Sequence, residues 1–294
     1  MKNLSKIISL LVVLVIVSST AFSQSSVRYN KCAAQNAIYH EVEDEETGDV
    51  VYQPVEADGH GNAQGNQYDL AVDGAFEGQT ITVLHLYTGE GFDFHLPQAA
   101  LKEKGFSVYR FMNAPPTPEE LKDALDKSCQ FWLISSSYQM LTEEHVKVIK
   151  DFFDAGHGVY IWGDNSPYYA DANYLANALF GGEMLGNYMG NEVVGLKDKK
   201  TKSGLVQSHL ITTGLQFVYE GITIASIQDN QMLKPLIYNS EGNIVAATYE
   251  SNGKRAILDG GFTRLYVSWD EAGTGRYVKN AAAWLVNVER FEGK

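Results

Sequence analysis

Val159-Tyr160-Ile161-Trp162, then Gly163-Asp164-Asn165-Ser166-Pro167, then a helix-like stretch from Tyr169 to Phe180 make one strand–turn–helix unit near the middle of the chain. An unbroken run of large apolar residues fits a strand buried on both faces, as in parallel sheets covered by helices. The small and polar residues that follow mark a sharp turn. Asp164 and Asn165 therefore stand at the carboxyl edge of the sheet, where open α/β folds gather their ligands.

The same alternation extends on both sides. Thr80 to Leu86, Phe106 to Phe111, Gln130 to Ser135 and Val159 to Trp162 read as four strands. Between them lie three helices: His95 to Lys104, ended by Gly105; Pro118 to Lys127, capped by Thr117; and Thr142 to Ala155, with acidic residues in its first turn and Gly156 after it. Strands joined by helical crossovers predict an α/β fold with a mainly parallel, flavodoxin-like sheet flanked by helices, its first four strands mutually parallel. Past Phe180 the chain is Gly-rich. Ile222 to Ile227, Lys234 to Tyr238, Ile244 to Tyr249 and Arg255 to Leu258 read as shorter strands, with hairpin-type turns at Asn239 to Gly242 and Ser251 to Gly253. A last helix is expected from Gly275 to Val288.

Residues 1–23 have the pattern of a signal peptide: Lys2 and Lys6, an apolar core from Ile7 to Val17 too short to span a bilayer, and Ala21-Phe22-Ser23 before Gln24. This predicts a mature chain that starts near Gln24 and is secreted or periplasmic; a retained amino-terminal anchor is the alternative. Residues 24–78 are polar, with an acidic cluster from Glu41 to Glu46 and a short strand at Val50-Val51-Tyr52. They read as an extension that packs on the main domain through a hairpin, or as partly disordered. Residues 79–294 read as the main domain.

The formal net charge of −13 opposes nucleic-acid binding. The one basic run, Lys197 to Lys202, reads as a solvated loop. Two cysteines, Cys32 and Cys129, and seven scattered histidines show no zinc-type spacing, so no metal or cofactor is expected. Whether the two cysteines are bridged is open.

Three pieces resemble the class I glutamine-amidotransferase-like superfamily, which includes trehalose-utilisation-type domains: the first strand with its loop, Val83 to Gly91; the turn Gly163 to Pro167; and His209-Leu210-Ile211-Thr212-Thr213-Gly214-Leu215, similar to a His-Pro-Ile-x-x-Gly-Leu element. The stretch Gly253 to Gly261, followed by an Asn-Ala-Ala-Ala-Trp-Leu helix, resembles the non-catalytic members. The resemblance covers roughly residues 80–288 and implies a nucleophile elbow at Gly163 to Pro167. Asn165 stands near the family's cysteine, and a carboxamide is no nucleophile. The family's His-Glu pair after the last strand is missing from Asp259 to Arg264. Ser166 before Pro167 reads more readily as a helix cap than as a nucleophile. The resemblance therefore implies an amidotransferase-like fold without glutaminase activity.

Several side chains nonetheless converge on the carboxyl edge. The loop after the first strand offers Tyr87, Glu90, Asp93 and His95, of which Asp93 reads as a helix cap and Glu90 and His95 as cleft residues. The loop after the last strand offers Asp259, Arg264, Trp269 and Asp270. Arg264 could clamp an anion and Trp269 could stack on a flat ligand, or both could be internal. With Asp164 and Asn165, the expected ligand-binding set is Glu90, His95, Asp164, Asn165, Asp259 and Arg264. His209 suits a structural turn before Gly214. The leading reading is a secreted, non-catalytic binding or structural module for a small molecule, a carbohydrate or another secreted protein. The alternative is a carbohydrate-acting enzyme of the trehalose-utilisation type using carboxylates and His. A metal-dependent binding protein using the acidic extension ranks below both.

Overall fold

A computed structural model of the 294-residue chain describes Asn30 and residues 39–87, 89, 91–269 and 272–286. Residues 1–23, Cys32 and Glu90 lie outside the described residues. Among the described residues no helix is long and apolar enough to cross a membrane.

The first described strands, β1 (Tyr39–Glu43) and β2 (Val50–Pro54), form an antiparallel hairpin, a two-stranded sheet of its own among the described residues. The main alternation follows: β3 (Thr80–His85), α1 (His95–Glu103), β4 (Ser107–Met112), α2 (Pro118–Leu125), β5 (Gln130–Ile134), α3 (Glu143–Asp154), β6 (Gly158–Trp162) and α4 (Ala170–Phe180). Beyond it come β7 (Met184–Met189), β8 (Val193–Val194), β9 (Gly204–Leu205), β10 (Val218–Tyr219), β11 (Thr223–Ile227), β12 (Lys234–Tyr238), β13 (Ile244–Ser251), β14 (Lys254–Asp259) and α5 (Thr274–Leu285).

Eight strands form one sheet in the order β4-β3-β5-β6-β14-β13-β12-β9. β3, β4, β5 and β6 are mutually parallel and β14 joins β6 in parallel, as the crossover pattern predicts. β13, β12 and β9 continue the sheet antiparallel. The short strands β7 to β10 have no strong apolar alternation in sequence; β7 pairs with β11 and β8 with β10, outside the main sheet.

Period-two burial decides which helices cover which face. Ile81, Val83, Trp132, Ile134, Tyr160, Trp162 and Ile257 pack in one core with Leu101 of α1 and Val278 and Leu285 of α5. Their neighbours Leu84, Phe131, Leu133, Val159, Ile161 and Leu258 pack in a second core with Leu121 of α2, Ile149 of α3 and Leu175 of α4. Helix entry is local chemistry. Thr117 accepts from the Glu120 amide while Glu120 reaches back to Thr117, and Thr142 and His145 make the same reciprocal pair. Gly105 ends α1 at φ +93°, and a Cβ there would lie 2.6 Å from the Glu77 nitrogen.

The segment before β3 is held by buried polar bonds as well as by Leu70, Ala71 and Phe76 in the first core. The Leu70 amide donates to Asn280 Oδ1 (2.7 Å), and Asn280 Nδ2 donates to the Ile211 and Thr213 carbonyls (3.0 and 2.8 Å). The wholly buried Asp69 carboxylate is met by Lys104, Arg276 and Lys279 at 2.8–2.9 Å.

Candidate functional site

The carboxyl ends of β3, β5, β6 and β14 surround a cleft of about 230 Å³. Tyr87 enters it from the loop after β3, Ser135 from the end of β5, and Asp164, Asn165 and Tyr168 from the turn after β6. Ile222 and Thr223 close it at the start of β11, and Phe262, Thr263 and Tyr266 come from the turn after β14.

The β6 turn is fixed by its own backbone. Asp164 N donates to the Tyr168 carbonyl (3.2 Å), Tyr168 N to the Asn165 carbonyl (2.8 Å) and Ser166 N to the Gly186 carbonyl (2.9 Å). Gly163 N donates to the Asp259 carbonyl and Phe262 N to the Gly163 carbonyl, at 2.9 and 3.1 Å, which stitches the turn to the end of β14. A Cβ on Gly163 would lie 2.5 Å from Met184 Sδ and 3.1 Å from Tyr169 Cβ. These bonds carry the chain past Pro167 before the helix starts. α4 begins at Ala170 with Tyr169 at its N-cap, so Ser166 is not the helix cap that the Ser-Pro pair suggests. Ser135 serves that end instead: its Oγ accepts from the Asp171 and Ala172 amides at 3.1 and 3.2 Å. No local sequence signal links Ser135 to α4, because the contact comes from the neighbouring strand.

Asn165 sits where the resemblance places a nucleophile. Its Oδ1 accepts from Thr223 Oγ1 (3.0 Å) and its Nδ2 donates to the Ser166 carbonyl (3.2 Å). Asp164, Asn165 and Ser166 all avoid left-handed backbone, so the turn lacks the strain that a nucleophile elbow stores. Asp164 is 7% exposed and its Oδ1 accepts from the Asn165 amide at 2.8 Å. Burial pushes its carboxyl up to about 7, against the opposing pull of the Asn165 amide, Arg264 and Thr223.

Asp259 and Arg264 lie behind the cleft, not in its wall. Both are wholly buried, with Arg264 Nη1 donating to Asp259 Oδ2 (3.0 Å) and Nη2 to the Glu220 carbonyl (2.9 Å). Tyr160 and Tyr277 hydroxyls donate to the same Asp259 oxygen at 3.2 and 2.8 Å. His95 opens α1 on the surface, its ring nitrogen paired with the Asp93 carboxylate, and does not line the cleft. Asp93 Oδ1 also accepts from the His95 amide at 3.1 Å. Glu90 and Asp270 lie outside the described residues. Trp269 is buried and lines a different cavity, against the segment before β3. His209 Nδ1 accepts from the Ile211 amide (3.2 Å) and shapes the turn before Gly214; burial lowers its pKa to about 4. Cys129, just before β5, stands at the opposite end of the sheet from the cleft.

Sequence reasoning missed Thr223, Phe262, Thr263 and Tyr266 as cleft residues. Their convergence depends on β11 lying beside the β6 turn, which no local pattern encodes.

No protein-family model and no curated protein sequence matches the chain. Solved structures similar in fold include a GMP synthase-like protein from Thermoplasma acidophilum (13% identity, 74% of this chain and 98% of that one, TM-score 0.46). A ThuA-like protein from Parabacteroides merdae is 12% identical over 72% of this chain and 90% of its own, at a TM-score of 0.45. A CTP synthase glutaminase domain from Trypanosoma brucei is 10% identical over 70% and 94%, at 0.36.

Proposed function

We propose that this chain is a secreted, non-catalytic module of amidotransferase-like fold that binds a small molecule in the carboxyl-edge cleft. The observation that carries the reading is the state of the β6 turn: Asn165 occupies the nucleophile's place and its carboxamide is already engaged by Thr223 and the Ser166 carbonyl. Two aliphatic hydroxyls around it also accept backbone amides. Ser135 Oγ accepts two backbone amides, and Thr263 Oγ1 accepts the Ile222 amide at 2.7 Å. Among the described residues no histidine lines the cleft to act as a base. Export is part of the same proposal, supported by Lys2, Lys6, the apolar core that follows and Ala21-Phe22-Ser23.

A thermal-shift screen of small molecules tests the binding role, because a ligand that prefers the native state raises its melting temperature. The reading expects a stabilising ligand whose effect is lost when the cleft is altered. It also expects no ammonia release from glutamine; release above background, abolished by Ser166→Ala, would overturn it.

One observation favours the second reading, a carbohydrate-acting enzyme. A carboxyl held at about 7 is suited to general acid–base work near neutral pH. Glycoside cleavage generally needs a second carboxyl across the sugar, and Asp164 is the one carboxyl among the described lining residues. The binding role therefore ranks first.

A further inference from the structure

We infer that the cleft is a receptor for a small organic cation, an ammonium group seated against Asp164 and walled by Tyr87, Tyr168 and Tyr266. The inference rests on the proposed binding role of the cleft and names its ligand class.

The walls are aromatic and stand at steep angles to one another. Tyr87 meets Tyr168 with centroids 5.3 Å apart and planes at 86°, and meets Phe262 at 5.3 Å and 77°. Phe262 meets Tyr266 at 5.6 Å and 53°. These four rings pack edge to face or tilted against one another, and all of them line the cleft. Ring faces attract cations through their quadrupole, and substituted ammonium groups are the usual guests of such boxes.

The floor supplies the opposite charge. Asp164 is more than nine-tenths buried, lines the cleft, and forms no ion pair among the described residues. Among the described residues the charged groups behind it are Asp259 at the end of β14, Arg264 after it and Glu220 after β10. Arg264 is spoken for by Asp259 and the Glu220 carbonyl. Glu220 in turn accepts from Ser240 N and Oγ at 2.6 and 2.8 Å, and burial raises its pKa. Among the described lining residues the other titratable side chains are Tyr87, Tyr168 and Tyr266.

This charge balance selects among ligands. Among the described residues an anion would meet Asp164 with no cationic side chain lining the cleft. A neutral polyol would give no counter-charge to the carboxyl once it ionises, above about pH 7, and burial disfavours that charged form. An ammonium group answers the carboxyl and the rings together. The volume, about 230 Å³, suits a headgroup-sized ligand, below the range of pockets for drug-sized molecules. The net charge of −13 also favours approach of cations.

Calorimetric titration of the purified protein with choline and tetramethylammonium, beside 3,3-dimethyl-1-butanol as neutral isostere and glucose as neutral polyol, tests the inference. Choline should bind about tenfold or more tightly than its isostere. Asp164→Asn should weaken choline by a similar factor. Tyr168→Leu should weaken it several-fold while Tyr168→Phe retains it, which keeps the test valid if the Asp164 variant folds poorly. Choline affinity should rise from pH 6 to pH 8 in the parent and stay flat in Asp164→Asn. If glucose or the isostere binds instead, and Tyr168→Leu abolishes that binding, the cation inference falls and the binding cleft stands. Choline binding untouched by both Asp164→Asn and Tyr168→Leu also overturns the inference. If none of these probes binds and no ligand from the wider screen depends on the cleft, the inference and the binding role fall together.

Discussion

Arg264 Nη1 donates to Asp259 Oδ2 at 3.0 Å with both side chains wholly buried, and the same oxygen takes the Tyr277 hydroxyl at 2.8 Å. The pair ties the end of β14 to α5 and to the loop bearing Glu220. Burial by itself disfavours the guanidinium charge, but Asp259 outweighs it and the Arg264 pKa rises on balance. Residues placed by their sequence position on a ligand-facing loop thus form an internal anchor beneath the cleft.

Breaking that anchor from one side should cost more than removing it. Arg264→Ala leaves a buried carboxylate without its cation, with an expected loss of about 3–5 kcal/mol in urea unfolding. The double change Asp259→Asn with Arg264→Met should lose less than Arg264→Ala alone. A single-variant loss below about 1 kcal/mol would mean that solvent reaches the pair.

Asp164 makes stability depend on pH in an unusual direction. The native state holds its proton up to about pH 7, while the unfolded chain releases it around the ordinary 3.8. Between those values the native state binds more protons, so this contribution is complete below the unfolded pKa and is lost as pH rises through the folded one. Its full size is about 4 kcal/mol. Asp164→Asn, which keeps an acceptor for the Asn165 amide, should be more stable than the parent at pH 8 and should flatten this part of the curve. Urea midpoints at pH 5 and pH 8 for both proteins check it.

Asn280 ties the segment before β3 to the turn before Gly214: it accepts one buried bond from the Leu70 amide and donates two, to the Ile211 and Thr213 carbonyls. Asn280→Ala leaves those three backbone groups unpaired, at an expected cost of about 2–4 kcal/mol. Amide exchange at Leu70 should accelerate more than exchange at residues of β5, which share no bond with Asn280. Equal acceleration at both would mean that the segment does not open separately.

The two reciprocal caps are local and should behave locally. Thr117→Ala and Thr142→Ala are each expected to cost about 1 kcal/mol. Their Ser counterparts should recover most of it. Thermal unfolding of the four variants measures both effects.

Much of the sheet was legible because its signals are local. Thr80, Gln130 and Gly158 begin or adjoin apolar runs that only a doubly covered strand explains, and Thr117 and Thr142 announce helix starts through bonds within one turn. The strands β7 to β10 were not legible, because their pairing energy comes from partners distant in sequence, β7 and β8 are mixed in burial, and β8, β9 and β10 have two residues each. Ser166 shows the same limit at one residue. Its sequence context suits a cap, yet its amide goes to Gly186 and the helix starts at Ala170.

The candidate site divides along the same line. The apolar run and its turn determine by themselves that Asp164 and Asn165 end a strand at the sheet's carboxyl edge, since strand period and turn chemistry are written in neighbouring residues. Tertiary structure alone decided what surrounds them. It carried Thr223 to Asn165 from 58 residues away and sent Arg264 inward to Asp259 and Glu220. It also assembled Tyr87, Tyr168 and Tyr266 into one wall. The physical reason is that a charged side chain's environment, and the partners it finds there, depend on which distant backbone shields it from water, and that is set when the layers pack.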